Sequence, residues 1–370
     1  MLQKKKRDSS LRNVDLTSLA GASLENTGNL LEVRGLRTSF FTDEGVVKAV
    51  DGMDFDVPKG KTLGIVGESG SGKSIGARSL MQLVDKPGRI VDGQILLNQG
   101  DGRAIDIAAL DPRGDAIRRI RGKEIAMIFQ EPMSSLSPVH TIGRQIGEMI
   151  ELHMGYDREQ TRERVLALLK KVEMPKASTA IDSYTFELSG GMRQRAMIAM
   201  GLACDPRLLI ADEPTTALDV TTQAVILDLI KELQQSIGMS VMFITHDLGV
   251  IAEVADEVAV MYLGTVVERG SVREIFEEPK HPYTRALLRS IPRLGLEKQR
   301  RLAAISGMVP HPFNRPGGCP FHNRCPEVMP GVCDRIVPPR ESLGPGREVR
   351  CLLHSDTDRL NAEAEEASHE

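Results

Sequence analysis

Residues 67–74, Gly-Glu-Ser-Gly-Ser-Gly-Lys-Ser, decide how the rest of the chain is read. Gly67, Gly72, Lys73 and Ser74 fit the phosphate-loop pattern G-x-x-x-x-G-K-[ST]. Thr62-Leu63-Gly64-Ile65-Val66, just before it, is a short apolar run that predicts a buried strand. Ile75 to Leu83, just after it, predicts a helix. A strand, a glycine loop and a helix are the setting this motif requires. The glycines let backbone N–H groups turn inward around phosphate oxygens, and the helix N-terminus adds its positive end. The whole loop, with Glu68, Ser69, Gly70 and Ser71, is expected to surround the phosphates. Lys73 is expected to reach the β- and γ-phosphates, and the Ser74 hydroxyl to ligate Mg²⁺. A chance glycine turn is the plain alternative, and the flanking strand and helix weigh against it.

The chain has 370 residues, enough for one large or two ordinary domains with a sizeable core. Its formal net charge of −4 gives no sign of a nucleic-acid partner. No apolar run reaches the roughly 18 residues of a membrane-spanning helix. The basic start, MLQKKKRDSSLRN, has no apolar stretch behind it and does not read as a secretory signal. A cytosolic chain is the expectation. Its five cysteines are then expected to be reduced, metal-bound or buried.

Residues 1–28 are polar and read as a mostly mobile extension; attraction of Lys4-Lys5-Lys6-Arg7 to anionic lipid is the livelier alternative to a solvated tail. From Leu30 the pattern changes. Leu31-Glu32-Val33, Val47 to Val50 and Met53 to Val57 alternate as half-buried strands do, with a turn at residues 42–45. Residues 90–97 and 124–129 read as further strands, with an edge excursion and short helix between. Ile142 to Leu152 and Arg158 to Val172 carry apolar residues at helical spacing. A helix from about Met192 stops at Asp205-Pro206, followed by the strand Leu208 to Ala211. A helix over about 220–237, a strand over 240–244 and a hairpin through Leu263-Gly264 follow. This alternation predicts a mostly parallel α/β sheet, with ligands beyond the carboxyl ends of its strands.

Those ends carry polar residues. ATP hydrolysis needs a phosphate cradle, a metal, a group acting on water and a sensor of the γ-phosphate. Asp212 closes an apolar strand and suits Mg²⁺. Glu213 suits the general base. Gln130 offers an amide to the metal or the water, and His246 a donor to the γ-phosphate. Each alone is a weak signal; their joint order is not.

At this point the chain resembles the ATP-binding cassette (ABC) ATPases. Leu188-Ser189-Gly190-Gly191-Met192-Arg193-Gln194-Arg195 matches that family's signature motif, and Leu208 to Pro214 its second nucleotide motif. Thr216-Ala217-Leu218-Asp219 matches the D-loop, Gln130 the Q-loop and His246 the switch histidine. The resemblance spans about residues 30–295. It implies an α/β fold: a P-loop ATPase domain (29–295) with a mixed-sheet core, an antiparallel β subdomain and a helical subdomain near 131–190. It also implies two cassettes packed head to tail, with Ser189, Gly190 and Gly191 meeting the γ-phosphate bound by the partner, and Asp219 beside them. Adenine is expected on Phe40, by its spacing from Leu36, or on Phe41; either ring could equally be core.

A narrower likeness, to the dipeptide and oligopeptide importer subfamily, rests on Gln130 to Pro138, on His281 to Leu288 and on the cysteines near the C-terminus. It implies an ATPase at the cytoplasmic face of the inner membrane, a peripheral subunit serving two transmembrane permease subunits and a substrate-binding protein. The second cassette is expected to be a related chain, giving a heterodimer. Residues 131–156 are the expected docking surface for a coupling helix. Importers of nickel or oligosaccharides, and a cassette ATPase acting on ribosomes or DNA, are the competing functions. The second lacks support: the chain has neither a tandem cassette nor a basic stripe.

Beyond residue 295 Pro, Gly and Cys rise, marking a small module over 296–355 and an acidic tail over 356–370 read as disordered. Cys319, Cys325, Cys333 and Cys351 lie in this module, whereas Cys204 sits in an apolar helix and reads as core. Four cysteines in a loop-rich cytosolic segment suggest metal ligation. Their spacing lacks the paired C-x₂-C of common zinc sites. The subfamily likeness implies a [4Fe–4S] cluster; zinc (with His322 or His354) and free thiols stay open.

Overall fold

The structure, a computed structural model, describes residues 11, 14–23, 27–130, 135–216, 218–290, 305, 307–311 and 313–356. Glu131 to Ser134 of the expected docking surface, Ala217 of the D-loop and the tail beyond residue 356 lie outside the described residues.

Two sheets carry the fold. The first is antiparallel, in the order β1-β6-β5-β2-β3: β1 (Ala22–Ser23), β2 (Asn29–Thr42), β3 (Gly45–Pro58), β5 (Gly88–Asn98) and β6 (Arg103–Asp106). The segments expected around 31–33 and 39–41 are one strand of 14 residues, as are those around 47–50 and 53–57. Bulges near Val33–Leu36 and Thr38–Ser39 break the alternation that would have joined them in sequence.

The second sheet is the core. Its order is β12-β13-β11-β10-β4-β9-β8-β7. The strands are β4 (Thr62–Val66), β7 (Ile125–Ile128), β8 (Leu208–Asp212), β9 (Ser240–Ile244), β10 (Glu257–Tyr262), β11 (Thr265–Ser271), β12 (Glu341–Gly344) and β13 (Arg347–Val349). Strands β10, β4, β9, β8 and β7 are parallel neighbours; the β10–β11 hairpin and everything beyond it are antiparallel. The sheet is therefore mixed. Parallel strands covered on both faces read as unbroken apolar runs. In β8, Leu208 and Ile210 enter one core while Leu209 and Ala211 enter the other; in β9, Met242 and Ile244 oppose Val241 and Phe243 in the same way.

Helix α1 (Lys73–Leu80) follows the phosphate loop and lies between the sheets, where Thr38 and Ser79 share a hydrogen bond of 2.8 Å. Helix α2 (Asp115–Lys123) leads into β7. Helices α3 (Ile142–Met154), α4 (Arg158–Lys171) and the single-turn α5 (Ala177–Ala180) form the helical part that the sequence placed near 131–190. Asp157 caps α4 in a reciprocal box with Gln160, which fixes where that helix begins. The remaining helices are α6 (Gly190–Gly201), α7 (Val220–Ile237), α8 (Leu248–Val254), α9 (Val272–Glu277) and α10 (Pro282–Arg289).

Two expectations change. The extension through residue 28 contains, in its described part, strand β1 paired to β6 and a buried Ala20. Among the described residues, the cysteine module has no core of its own. Cys319, Phe321, Cys333, Ile336 and Leu352 belong to the core beneath the main sheet, and β13 pairs with β11. Sequence reading separated the module because strands of three and four residues carry too little periodicity to be seen.

Candidate functional site

The phosphate loop leaves β4 at Gly67 and enters α1 at Lys73. Gly72 shows why the glycines are needed. Its φ is +94°, and a Cβ there would lie 2.3 Å from the Ala49 carbonyl oxygen. Only glycine accepts both that backbone and that approach. Lys73 is buried and folded back onto the loop, donating to the Gly67 carbonyl at 2.8 Å and the Glu68 carbonyl at 3.0 Å. Burial pushes its ammonium below the ordinary lysine pKa, against the pull of Glu213, Asp212 and Glu68. A bound phosphate would replace those carbonyls with a full negative charge.

Ser74 donates to Asp212 at 3.0 Å, so hydroxyl and carboxylate face one point. Burial holds Asp212 above its usual range, countered by that hydrogen bond. A hard cation that takes oxygen ligands and neutralises charge suits this pair, as Mg²⁺ does. Beside it stands Glu213, whose φ of +47° is uncommon for a residue with a side chain. Its Oε2 accepts from Gln130 Nε2 at 2.9 Å and from Thr216 Oγ1 at 2.9 Å; its Oε1 lies 3.0 Å from His246 Nδ1. Burial pushes the carboxyl up, but His246, Thr216 and Lys73 together hold it below the usual value. Glu213 is thus a carboxylate whose two oxygens are held by three neighbours.

Gly70 to Ile75, Ser69, Gln130 and Glu213 line one cleft with Val47, Lys48, Ala49, Leu263, His311 and Arg315. Ser189, Gly190, Gly191, Asp219 and Phe40 are not among its lining residues. Ser189 caps α6, accepting from Met192 N–H at 3.4 Å, and Asp219 caps α7, accepting from Thr222 N–H at 3.0 Å. Phe40 pairs across β3 with Val47, a cleft residue, while the Phe41 ring lies under the Arg89 guanidinium.

Three contributions were not legible in sequence. Thr216 joins Gln130 and His246 on Glu213. His311 and Arg315 reach the cleft from beyond residue 300. Glu68 is held from outside the loop: its N–H donates to the Tyr283 hydroxyl at 2.9 Å, and Arg324 donates to both carboxylate oxygens at 2.7 and 3.0 Å. Tyr283 lay within the quoted His281–Leu288 stretch, but nothing in that stretch indicated its partner.

The four module cysteines line one small cavity with His281, His322 and Glu327. Among the described residues, no three His, Cys, Asp or Glu side chains are grouped to hold a single metal ion. Burial foremost pushes Cys319 up to about 11 and Cys351 up to about 12, with neighbouring cysteines adding to it. Cys204 is buried beside Met149, as expected, and is pushed up to about 11. No described helix is long and apolar enough to cross a membrane.

A phosphate loop on the parallel strands of a mixed sheet, with a buried carboxylate hydrogen-bonded to the loop serine and a glutamate held by three neighbours, defines a P-loop nucleoside triphosphatase. Residues 50–216 match the ABC transporter family, and residues 267–333 match the C-terminal region of oligopeptide/dipeptide transporters. The oligopeptide transport ATP-binding protein AppD of Bacillus subtilis is 48% identical over 328 residues, covering 88% of this chain and 97% of its own. The dipeptide transport ATP-binding protein DppD of Haemophilus influenzae is 46% identical over 322 residues, covering 87% and 94%. The "Putative peptide import ATP-binding protein" of Brucella ovis is 50% identical over 329 residues, covering 87% of this chain and 96% of its own. Among solved structures, the post-hydrolysis dimer of the ATP-binding cassette MJ0796 bound to ADP and Pi aligns with a TM-score of 0.58 at 27% identity, covering 66% of this chain and 99% of that one. The chain belongs to the ABC transporter ATPases, in the group of oligopeptide and dipeptide transport ATP-binding proteins.

Proposed function

We propose that this chain hydrolyses ATP to drive import of short peptides, as a peripheral subunit on the cytoplasmic face of the membrane. The observation that carries the reading is that the peptide-transporter C-terminal region shares one core with the sheet that carries the nucleotide cleft. The cassette joins two permease subunits fed by a substrate-binding protein, and pairs with a second, related cassette. Residues 131–156, which include α3, form the docking face; support comes from a cleft of about 570 Å³ between α3 and α4, lined by Arg144, Glu148 and Arg158 among others.

Lys73 leaves the loop carbonyls for the β- and γ-phosphates. Ser74 and Asp212, with Gln130, would hold Mg²⁺, which would supply positive charge against that of the phosphates. Glu213 takes a proton from the attacking water, and His246 donates to the γ-phosphate. Ser189 with the Gly190 and Gly191 amides completes the partner's site, which fits their place at a helix N-terminus away from this chain's own cleft. Asp219 lies at the same junction, and Phe40 carries the adenine. Closure around two ATP and reopening after hydrolysis drive the permease.

Reconstituted with its permease, the protein is expected to hydrolyse ATP faster when peptide-loaded binding protein is added; stimulation by nickel or oligosaccharide instead overturns the peptide reading. Glu213→Gln should bind ATP but slow turnover by roughly 10²–10⁴-fold. Near-normal turnover removes Glu213 as the base.

Cys319, Cys325, Cys333 and Cys351 would supply four thiolates to a [4Fe–4S] cluster. Support comes from their convergence, with His281 and His322, on one small cavity. Protein purified without oxygen is expected to carry iron and labile sulfide; stoichiometric zinc without iron would overturn this assignment.

A further inference from the structure

The loop that grips the phosphates is itself gripped from residues far away in the chain. Glu68 is the second residue of the phosphate loop, and each of its polar groups is committed. Its carbonyl holds Lys73, its N–H is taken by Tyr283, and its carboxylate is clamped by both terminal nitrogens of Arg324. Arg324 is adjacent to Cys325, and its side chain is only 3% exposed. It lies 5.8 Å from the Tyr262 ring and 5.9 Å from the Phe321 ring. Tyr262 and Phe321 pack edge to face at 5.2 Å, and Tyr283 touches both. The clamp is therefore rooted in a buried aromatic cluster rather than a loose surface pair. A two-pronged arginine–carboxylate contact fixes orientation as well as distance. Because the clamped residue also supplies a carbonyl to Lys73, the clamp sets where that ammonium rests before nucleotide arrives.

We infer that Arg324 is a positioning residue of the nucleotide site: through Glu68 it holds the phosphate loop and Lys73 in binding geometry, and so makes nucleotide affinity depend on the integrity of the cysteine module. The inference rests on the nucleotide-site assignment. Arg324 does not touch substrate. Its effect is exerted on the conformation of the loop, and lysine cannot replace it because a point charge cannot engage both oxygens at fixed angles.

The test is equilibrium binding of a fluorescent ATP analogue to the full-length chain, together with steady-state ATPase kinetics. Four variants are compared: Arg324→Lys, Glu68→Gln, the pair combined, and Lys73→Ala as a control. Arg324→Lys and Glu68→Gln are each expected to weaken binding and raise KM roughly tenfold, the scale seen when a group that orients a direct ligand is lost. The change in kcat is expected to be smaller. Combined, they should weaken binding little more than either alone, because they break one contact. A clamp that serves only stability would lower the melting temperature of both variants and leave KM within twofold, and that overturns the inference. Additive losses in the combined variant also overturn it. Glu68→Gln keeps the module intact, so the test holds even if Arg324→Lys folds poorly. If Lys73→Ala binds nucleotide as the parent chain does, the nucleotide-site assignment itself fails, a result separate from either outcome for Arg324.

Discussion

Single residues show what composition could and could not reveal. Lys73, Ser74, Asp212 and Glu213 were legible because their chemistry follows from where a loop or strand ends. The clamp on Glu68 was not, since Arg324 lies 256 positions away and no periodicity links them. His153 is similar. In sequence it lies one position past the helical stretch Ile142 to Leu152; in the fold it is within α3 and buried, and its Nδ1 has no hydrogen-bond partner among the described residues. Burial pushes its imidazole down to about 4, with Arg119 and Lys123 adding to the effect. The folded protein therefore keeps His153 neutral where the unfolded chain, with an ordinary value near 6.5, takes up a proton. This contribution to stability is fully present above about pH 6.5 and is lost as the pH falls toward 4. His153→Met is expected to lose less stability than the parent chain between about pH 7 and 5, measured by urea midpoints. Equal losses would show that other groups dominate that window.

At the level of elements, alternation and apolar runs revealed the parallel strands, and spacing revealed the amphipathic helices. Strand continuity was hidden wherever a bulge shifted the register, as between Val33 and Leu36. The unit formed by β4, its loop and α1 has one fragile point. Gly72→Ala would put a Cβ against the Ala49 carbonyl and force a side chain into a left-handed backbone. Strain of this kind costs about 1–3 kcal/mol. The variant is expected to lose that much in denaturant unfolding and to bind ATP weakly or not at all. Unchanged binding would mean that the loop tolerates a second conformation.

For the whole molecule, the module that sequence reading begins at a border near residue 296 packs into the same core as the ATPase part. Phe321 is 1% exposed and seated against Tyr262 on β10 and Tyr283 on α10. Phe321→Ala should therefore destabilise the ATPase core itself, by about 3–5 kcal/mol. Two separate unfolding transitions, with only one shifted, would restore the border. The order of the main sheet also bears on how the protein is made. Strand β11 gains its outer neighbour only from residues 347–349, and β12 closes the edge beyond it. On the ribosome, where domains form from the N-terminus onward, the nascent cassette must wait through roughly eighty further residues with that edge bare. An exposed strand edge invites pairing with other chains. Newborn copies are thus most prone to stick to one another, and most in need of a chaperone, during the last stretch of synthesis.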